Sequence, residues 1–401
     1  MESALIALVG IATIASFLMA WALGANSNSP PFAPAIGANA ISTMQAAFLI
    51  GILAALGAIT QGGAISETVG SHLIDGVSIT PLAATAGLLT AAGFMAFGVR
   101  TGYPIPAAFS VTGAMVGVGL ALGGNPAMDT YRRLGLFWIL VPPMSGGTAY
   151  LTASLLRRED IPETVGVPLL AAIVSGIVAN IPLGIIPSGP QAAQSSIAGF
   201  FSRTIGSQPV FGFDVVTVLV TLAFAAGGFY GIRYRMQDSI EAGIRTFLIV
   251  LGSVVAFSSG GSQVGLATGP LEHLFRTQLG LPDIVLLTLG AVGILAGAWM
   301  GAPVLLQATS REYAQLGTRR SIAALVPGFV IAQIAIALGI PISFNNIIIS
   351  GVIGGGLAAG SAGVSRRKIG VTLVFWVLTL ISSIIVGFVV YRGLSTVLGV
   401  A

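Results

Sequence analysis

The chain has 401 residues, of which 55% are hydrophobic and only 7% charged, with a net charge of +4 and a mean hydropathy of +0.96. A soluble domain carries roughly 25% charged residues, so this composition belongs to an integral membrane protein. No cysteine is present, which excludes disulfides, thiolate nucleophiles and Cys-ligated metals. The two histidines, His72 and His273, lie in no metal-ligating pattern, so no metal site is expected.

Apolar runs long enough to cross a bilayer, about 20 residues at 1.5 Å each, occur near 3–23, 43–61, 81–99, 104–123, 135–156, 166–187, 211–231, 243–259, 284–301, 321–339, 344–362 and 369–391. The first is read as a span and not as a signal peptide, because its leading residues hold Glu2 and no Lys or Arg. Glycine reaches 55 residues, about twice the usual ~7%. Small residues let membrane helices approach closely, so many of these glycines are expected at helix contacts.

Two polar, Gly-rich interruptions recur with similar spacing. Gly24-Ala-Asn-Ser-Asn-Ser-Pro-Pro31 is followed by Pro104-Ile-Pro106, and Gly260-Gly-Ser-Gln263 is followed by Pro341-Ile-Ser343. The offsets from Gly24 to Pro104 and from Gly260 to Pro341 differ by a single position. Backbone groups left unpaired in hydrocarbon each cost several kcal/mol, so helix breaks belong beside protein or a solvated cavity. Corresponding breaks in two halves are the mark of a transporter site.

If all twelve runs cross, one set of loops holds Arg100, Arg157, Arg158, Arg233, Arg235, Arg311, Arg319, Arg320, Arg366, Arg367 and Lys368, and the other holds Arg132, Arg133, Arg203, Arg276 and Arg392. The positive-inside rule puts the first set in the cytoplasm and both termini outside. The paired motifs are then offset by seven spans, and an odd offset inverts one half relative to the other. The expected fold is an all-α polytopic membrane protein of two inverted-topology repeats with broken or re-entrant helices at the midplane: residues 1–156, residues 243–401, and a 157–242 connector of two membrane helices with a flexible external loop.

The motifs resemble those of the inorganic phosphate transporter (PiT) family of anion permeases, which has a G-A-N-D-V-A-N-A signature and a later P-V-S-T-T-H signature in each half. The first signature reads Gly24-Ala-Asn26-Ser27, continues through Ile36-Gly37-Ala38, and is followed by a family-like helix containing Glu67-Thr68-Val69. The second reads Ala256-Phe-Ser-Ser-Gly260-Gly-Ser262-Gln263-Val264 and closes on Gly269-Pro270-Leu271, with Pro341-Ile-Ser343 after it. The resemblance covers both halves but not the connector. It implies a multi-pass permease of the plasma membrane, not an enzyme, that takes an inorganic oxyanion, phosphate or sulfate, as its partner alongside the lipid bilayer. No nucleic-acid partner is expected, and a homodimer is open.

The departures from the family pattern matter as much. Its Asp is Ser27 in the first signature and Gln263 in the second, and its S-T-T-H is Pro106-Ala107-Ala108-Phe109 in one half and Ser343-Phe344-Asn345-Asn346 in the other. Hard cations favour carboxylate oxygens, so the coupling ion stays open between Na⁺ and H⁺, with Glu67 a candidate for the proton. Anion binding needs N–H and O–H donors, which helix N-termini and neutral polar side chains supply. The substrate-binding candidates are Asn26, Ser27, Asn28, Ser262, Gln263, Ser343, Asn345 and Asn346. Each taken singly is as well explained as a helix cap. Glu272 and His273 are read as solvated loop residues. A passive anion channel and a non-transporting relative of the same fold are the alternatives to a secondary transporter.

Overall fold

A computed structural model describes residues 2–27, 30–101, 105–158, 160–186, 195–206, 209–210, 213–358, 360 and 366–399. The chain forms α1 (Glu2–Asn26), a 3₁₀ turn at Pro30–Phe32, α2 (Ala33–Gly37), α3 (Thr43–Gln61), α4 (Gly63–Ser71), α5 (Pro81–Thr101), α6 (Ala107–Ala121) and α7 (Met128–Leu156). It continues through α8 (Glu163–Ala179), α9 (Ile197–Ile205), α10 (Val215–Asp238), α11 (Ile240–His273), α12 (Asp283–Leu316), α13 (Thr318–Ala337), α14 (Phe344–Leu357) and α15 (Arg366–Leu398). Among the described residues the strands amount to two antiparallel two-residue pairs.

All twelve expected spans correspond to helices. Among the described residues nine are long and apolar enough to cross a membrane, and α6, α8 and α14 are shorter, at 15, 17 and 14 residues. At 1.5 Å per residue α6 and α14 reach only about 21–23 Å, short of the ~30 Å hydrocarbon core. Pro106 and Ser343, both extended, stand at their N-caps. The proline-led motifs therefore do start half-length helices. Pro104 itself lies outside the described residues.

The two Gly-rich motifs behave differently from each other. In the first, α1 ends at Asn26 and Pro30-Pro31 starts the 3₁₀ turn, because proline lacks the N–H a continuing helix needs. The second, expected as a break, runs unbroken inside the 34-residue α11. Its glycines are there for close approach. A Cβ at Gly260 would stand 1.8 Å from the Ala54 carbonyl O, one at Gly265 would stand 2.6 Å from the Ser66 N, and one at Gly269 would stand 2.7 Å from the Ser66 O. This stripe brings the backbone of α11 onto α3 and α4.

The major packing pairs recur in two copies. Helix α1 lies against α12 as α11 lies against α3, and α6 lies against α15 as α14 lies against α7. The individual contacts repeat too. Gly24 abuts the Ile294 carbonyl and Gly260 the Ala54 carbonyl; Gly57 abuts the Phe257 carbonyl and Gly297 the Trp21 carbonyl. Likewise Ser145 Oγ donates to Ile347 O at 2.7 Å and Ser383 Oγ donates to Phe109 O at 3.3 Å. In that last pair both members are displaced equally along the chain, Phe109 to Ile347 and Ser145 to Ser383.

In chain order, α8 and α10 come between the two sets and pack on each other, and in α10 only Ile232 and Met236 are buried. Of the connecting loop expected to be flexible, residues 187–194 and 207–208 lie outside the described residues. Its described part folds into α9, N-capped by Ser196 and closed by Gly206 in the left-handed region, and Asp214 caps α10 by accepting from the N–H of Val216 and Thr217 at 3.1 and 3.3 Å.

Candidate functional site

The buried polar residues are mostly Ser and Thr, so the buried amides and the hydroxyls at the signature positions stand out. Asn26 and Ser27 are buried at the end of α1, Gln61 at the end of α3, Ser258, Ser262 and Gln263 in the middle of α11, Gln333 in α13, and Ser343, Asn345 and Asn346 at the start of α14. Every described substrate-binding candidate read from the sequence is thus buried, and Asn28 falls outside the described residues.

Part of this polar group is bonded across three helices. Gln61 Nε2 donates to Gln333 Oε1 at 3.4 Å, Gln333 Nε2 donates to Ser258 Oγ, and Ser258 Oγ donates to Val254 O at 2.9 Å. Sequence reasoning singles out none of Gln61, Gln333 and Ser258 as a ligand. The signal that could have found them is amide and hydroxyl side chains inside apolar runs, where an unneeded polar group is expensive. Beside them the N–H of Gly184, in the segment after α8, donates to Thr60 O at 2.6 Å.

Other atoms of the group have no hydrogen-bond partner among the described residues. Among the described residues, twelve buried side-chain polar atoms lack a hydrogen bond, and seven of them are Asn26 Nδ2, Ser27 Oγ, Gln61 Oε1, Ser262 Oγ, both amide atoms of Gln263, and Asn346 Oδ1. A buried polar atom left with no partner at all costs about 1–3 kcal/mol, so a set of them at the signature positions points to a place where a ligand or water completes the bonding. Asn and Gln oxygen and nitrogen are interchangeable in assignment, so each amide offers a donor and an acceptor.

Connection between the two parts of the group runs through α4. A Cβ at Gly265 of α11 would be 2.8 Å from the Ile65 C, and one at Gly339, in the turn before α14, would be 2.9 Å from the Ala64 O. The turn before α14 is fixed from the other side by Trp138, whose Nε1 donates to Pro341 O at 2.9 Å. Among the described residues no hydrogen bond joins Ser343, Asn345 or Asn346 directly to the α1–α11 group.

Helix polarity separates the two parts. The expectation that the polar motifs sit at helix N-termini holds for α14, where Ser343 is the N-cap and Asn345 and Asn346 stand in the first turn, with the Asn346 N–H donating to Ser343 O at 3.0 Å. It fails for Asn26 and Ser27, which close the carbonyl end of α1, and for Ser262 and Gln263, which are mid-helix. The N-terminus of α6 differs again, since its first turn is Ala107-Ala108-Phe109, all buried, with the Phe109 ring against Trp138 at 4.3 Å between centroids. One half-helix start is polar and the other is sealed by aromatics.

Two carboxylates lie near α4. Glu67 is exposed on α4. Glu272, expected in a solvated loop, belongs to the last turn of α11 with its side chain only 12% exposed, paired to Arg276 at 3.6 Å through Oε1 and unpartnered at Oε2. Helix α11 simply runs further than its apolar stretch suggests. His273 ends the same helix.

Comparison with known proteins places this arrangement. A family model described as "Phosphate transporter family" matches residues 23–387. A Pyrococcus furiosus protein named "Putative phosphate permease" is 25% identical, with 97% of each chain covered. The Arabidopsis thaliana "Inorganic phosphate transporter 2-1, chloroplastic" is 25% identical over 91% of this chain and 68% of its own. A solved structure described as "The sodium-dependent phosphate transporter" superposes with a TM-score of 0.82 at 22% identity, covering 97% of this chain and 99% of that one. That likeness shows the fold.

Proposed function

We propose, for a chain that belongs to the phosphate transporter family, that the buried polar group carries inorganic phosphate across the membrane by alternating access. The observation that supports this reading is the concentration of seven unpartnered polar atoms at or beside the signature positions. Asn26, Ser27, Asn28, Ser262, Gln263, Ser343, Asn345 and Asn346 are the proposed ligands, with Gln61 added. Phosphate is preferred to sulfate because monohydrogen phosphate brings a proton that needs an acceptor. Gln61 Oε1, Gln263 Oε1 and Asn346 Oδ1 are unpartnered acceptors, and Asn26 Nδ2, Ser27 O–H and Ser262 O–H are unpartnered donors.

The doubled packing of α1, α3, α6 and α7 with α12, α11, α15 and α14 supports two repeats, proposed to be inverted, that rock about the polar group. A helix carries about half a negative charge at its carbonyl end and half a positive charge at its N-terminus. The end of α1 at Asn26 therefore suits a coupling cation and the start of α14 suits the anion. The cation is Na⁺ held by neutral oxygens or H⁺, with Glu67 the proposed proton acceptor. The protein is a multi-pass membrane protein, proposed to lie in the plasma membrane with both termini extracytoplasmic.

The test is radiolabelled phosphate and sulfate uptake into proteoliposomes under imposed Na⁺ and H⁺ gradients in turn. Saturable phosphate uptake driven by one of the gradients is expected. Uptake of neither anion, or flux that does not saturate and ignores both gradients, sinks the proposal.

A further inference from the structure

The structure has a lateral cavity of about 370 Å³ away from the polar group, between α7, α14 and α15. The doubled packing supplies an internal control for it. On α7 the cavity is lined by Pro142, Pro143, Gly146 and Gly147. Helix α15 packs on α6 as α7 packs on α14, and the displacement that takes Ser145 to Ser383 takes these four positions to Leu380, Ile381, Ile384 and Ile385. The fold is thus satisfied by four large aliphatic residues at this place. On α7 the same positions are two prolines and two glycines, and a Cβ at Gly147 would meet nothing within 4 Å.

The cavity has a direction. On α7 it extends from Pro142 to Tyr150 and on α14 from Ile349 to Leu357, a little over two helical turns on each, or about 12 Å at 1.5 Å per residue. One leaflet of the hydrocarbon core is about 15 Å deep. A second pocket, of about 240 Å³, continues one turn beyond Tyr150 and is formed by Ser154, Arg157, Arg158 and Ala358. Arg157 donates to the Ala358 carbonyl that closes α14, and both arginines are otherwise exposed. An apolar slot of nearly one leaflet's depth, ending on the exposed pair Arg157 and Arg158, has the complementarity of an anionic lipid and not of a soluble anion.

We propose that the groove between α7, α14 and α15 holds one acyl chain of an anionic phospholipid, with its phosphate seated on Arg157 and Arg158. The guanidinium fork suits a phosphodiester, while the apolar Pro142–Gly147 face favours a long apolar chain. Arg157 also caps α14, so the headgroup contact is best removed at Arg158.

The test is lipid retention by the purified full-length protein, read by native mass spectrometry with phosphatidylglycerol, phosphatidylcholine of the same chains, and free glycerol phosphate as probes. The intact protein is expected to keep phosphatidylglycerol in preference to phosphatidylcholine and to ignore glycerol phosphate. Arg158→Gln should weaken phosphatidylglycerol about fivefold, the factor for ~1 kcal/mol per basic residue near a membrane surface. Gly147→Ile, which copies Ile385 of the other half, should lower retention of both lipids. A phosphatidylglycerol with a photoreactive acyl chain should label the 142–150 and 349–357 peptides of the unmutated protein, which keeps the proposal testable if a variant does not fold. Equal retention of the two lipids that Arg158→Gln leaves unchanged, labelling elsewhere, tight binding of glycerol phosphate, or a dimer that Gly147→Ile dissociates without altering lipid retention each overturns it. None of these readouts depends on transport.

Discussion

Replacing Gln333 by leucine separates the two roles a buried polar network can have. Gln333 accepts from Gln61 Nε2 at 3.4 Å and donates to Ser258 Oγ. Ser258 keeps its bond to Val254 O at 2.9 Å when Gln333 is lost, but Gln61 loses its one described partner and its Oε1 already has none. The single variant therefore strands a whole buried amide, at about 1–3 kcal/mol for the newly orphaned N–H group. Making Gln61→Leu as well removes the stranded amide, and apolar replacement of both partners is near neutral or stabilising. Thermal unfolding in detergent should show Gln333→Leu clearly below the parent protein and the double variant restored, a non-additivity that the cycle measures directly. Phosphate at about 100 times its Kd adds about 2.7 kcal/mol to a protein that binds it. That shift should be present in the parent and absent in the restored double variant, which should also fail to take up phosphate. A double variant that remains as unstable as the single one refutes the orphan argument. One that is stable and still transports refutes the assignment of Gln61 to the site.

Other variants probe different parts. Ser262→Ala and Gln263→Leu each delete unpartnered atoms, so phosphate uptake should fall at least tenfold with Tm unchanged or raised; a lowered Tm with normal uptake contradicts the site. Gly265→Leu puts a side chain where a Cβ is already 2.6 Å from the Ser66 N, and should cost more than the roughly 1–3 kcal/mol of ordinary overpacking, seen as poor recovery of folded protein. Trp138→Phe removes the 2.9 Å bond to Pro341 O, worth about 0.5–1.5 kcal/mol, and should raise the KM for phosphate by loosening the start of α14. Glu67→Gln should abolish any dependence of uptake on an imposed pH gradient if Glu67 carries the coupling proton; unchanged pH dependence transfers that role elsewhere.

The membrane class, the twelve membrane helices and the buried polar residues of the signature motifs are legible in the sequence because each rests on one-dimensional facts: apolar run length, proline, and polar residues inside apolar runs. What is not legible is how glycine is used. Gly24-Ala-Asn and Gly260-Gly-Ser look alike as text, but Pro30-Pro31 follows only the first, and a glycine stripe facing another backbone strengthens a membrane helix contact where the same residues in solvent would weaken the helix. Gln61 and Gln333 escape notice for a related reason. Each lies alone in its own helix, and only the packing of α3, α11 and α13 makes them neighbours of Ser258. Glu272 reads as a loop residue because hydropathy fades before the helix does.

The two halves share their packing more completely than their chemistry. Gly24 and Gly260 make the same contact in each half, as do Gly57 and Gly297, while the residues that follow the first pair are Asn26-Ser27 in one half and Ser262-Gln263 in the other. The displacement that relates Gly57 to Gly297 takes Gln61 to Gly301, and a Cβ at Gly301 would meet the Ala25 Cβ at 2.5 Å. The first turn of α14 offers two amides where α6 offers Ala107, Ala108 and Phe109. Close backbone contact fixes which residues can be small and so preserves the glycines in both copies. A single substrate needs only one set of donors, and an unneeded buried polar atom costs about 1–3 kcal/mol. Duplication of the frame with loss of half the polar residues is what these two terms favour. It follows that polar substitutions at the α6 start, such as Ala108→Asn, should destabilise the fold without adding to phosphate affinity, whereas Asn346→Ala should cost affinity without destabilising it.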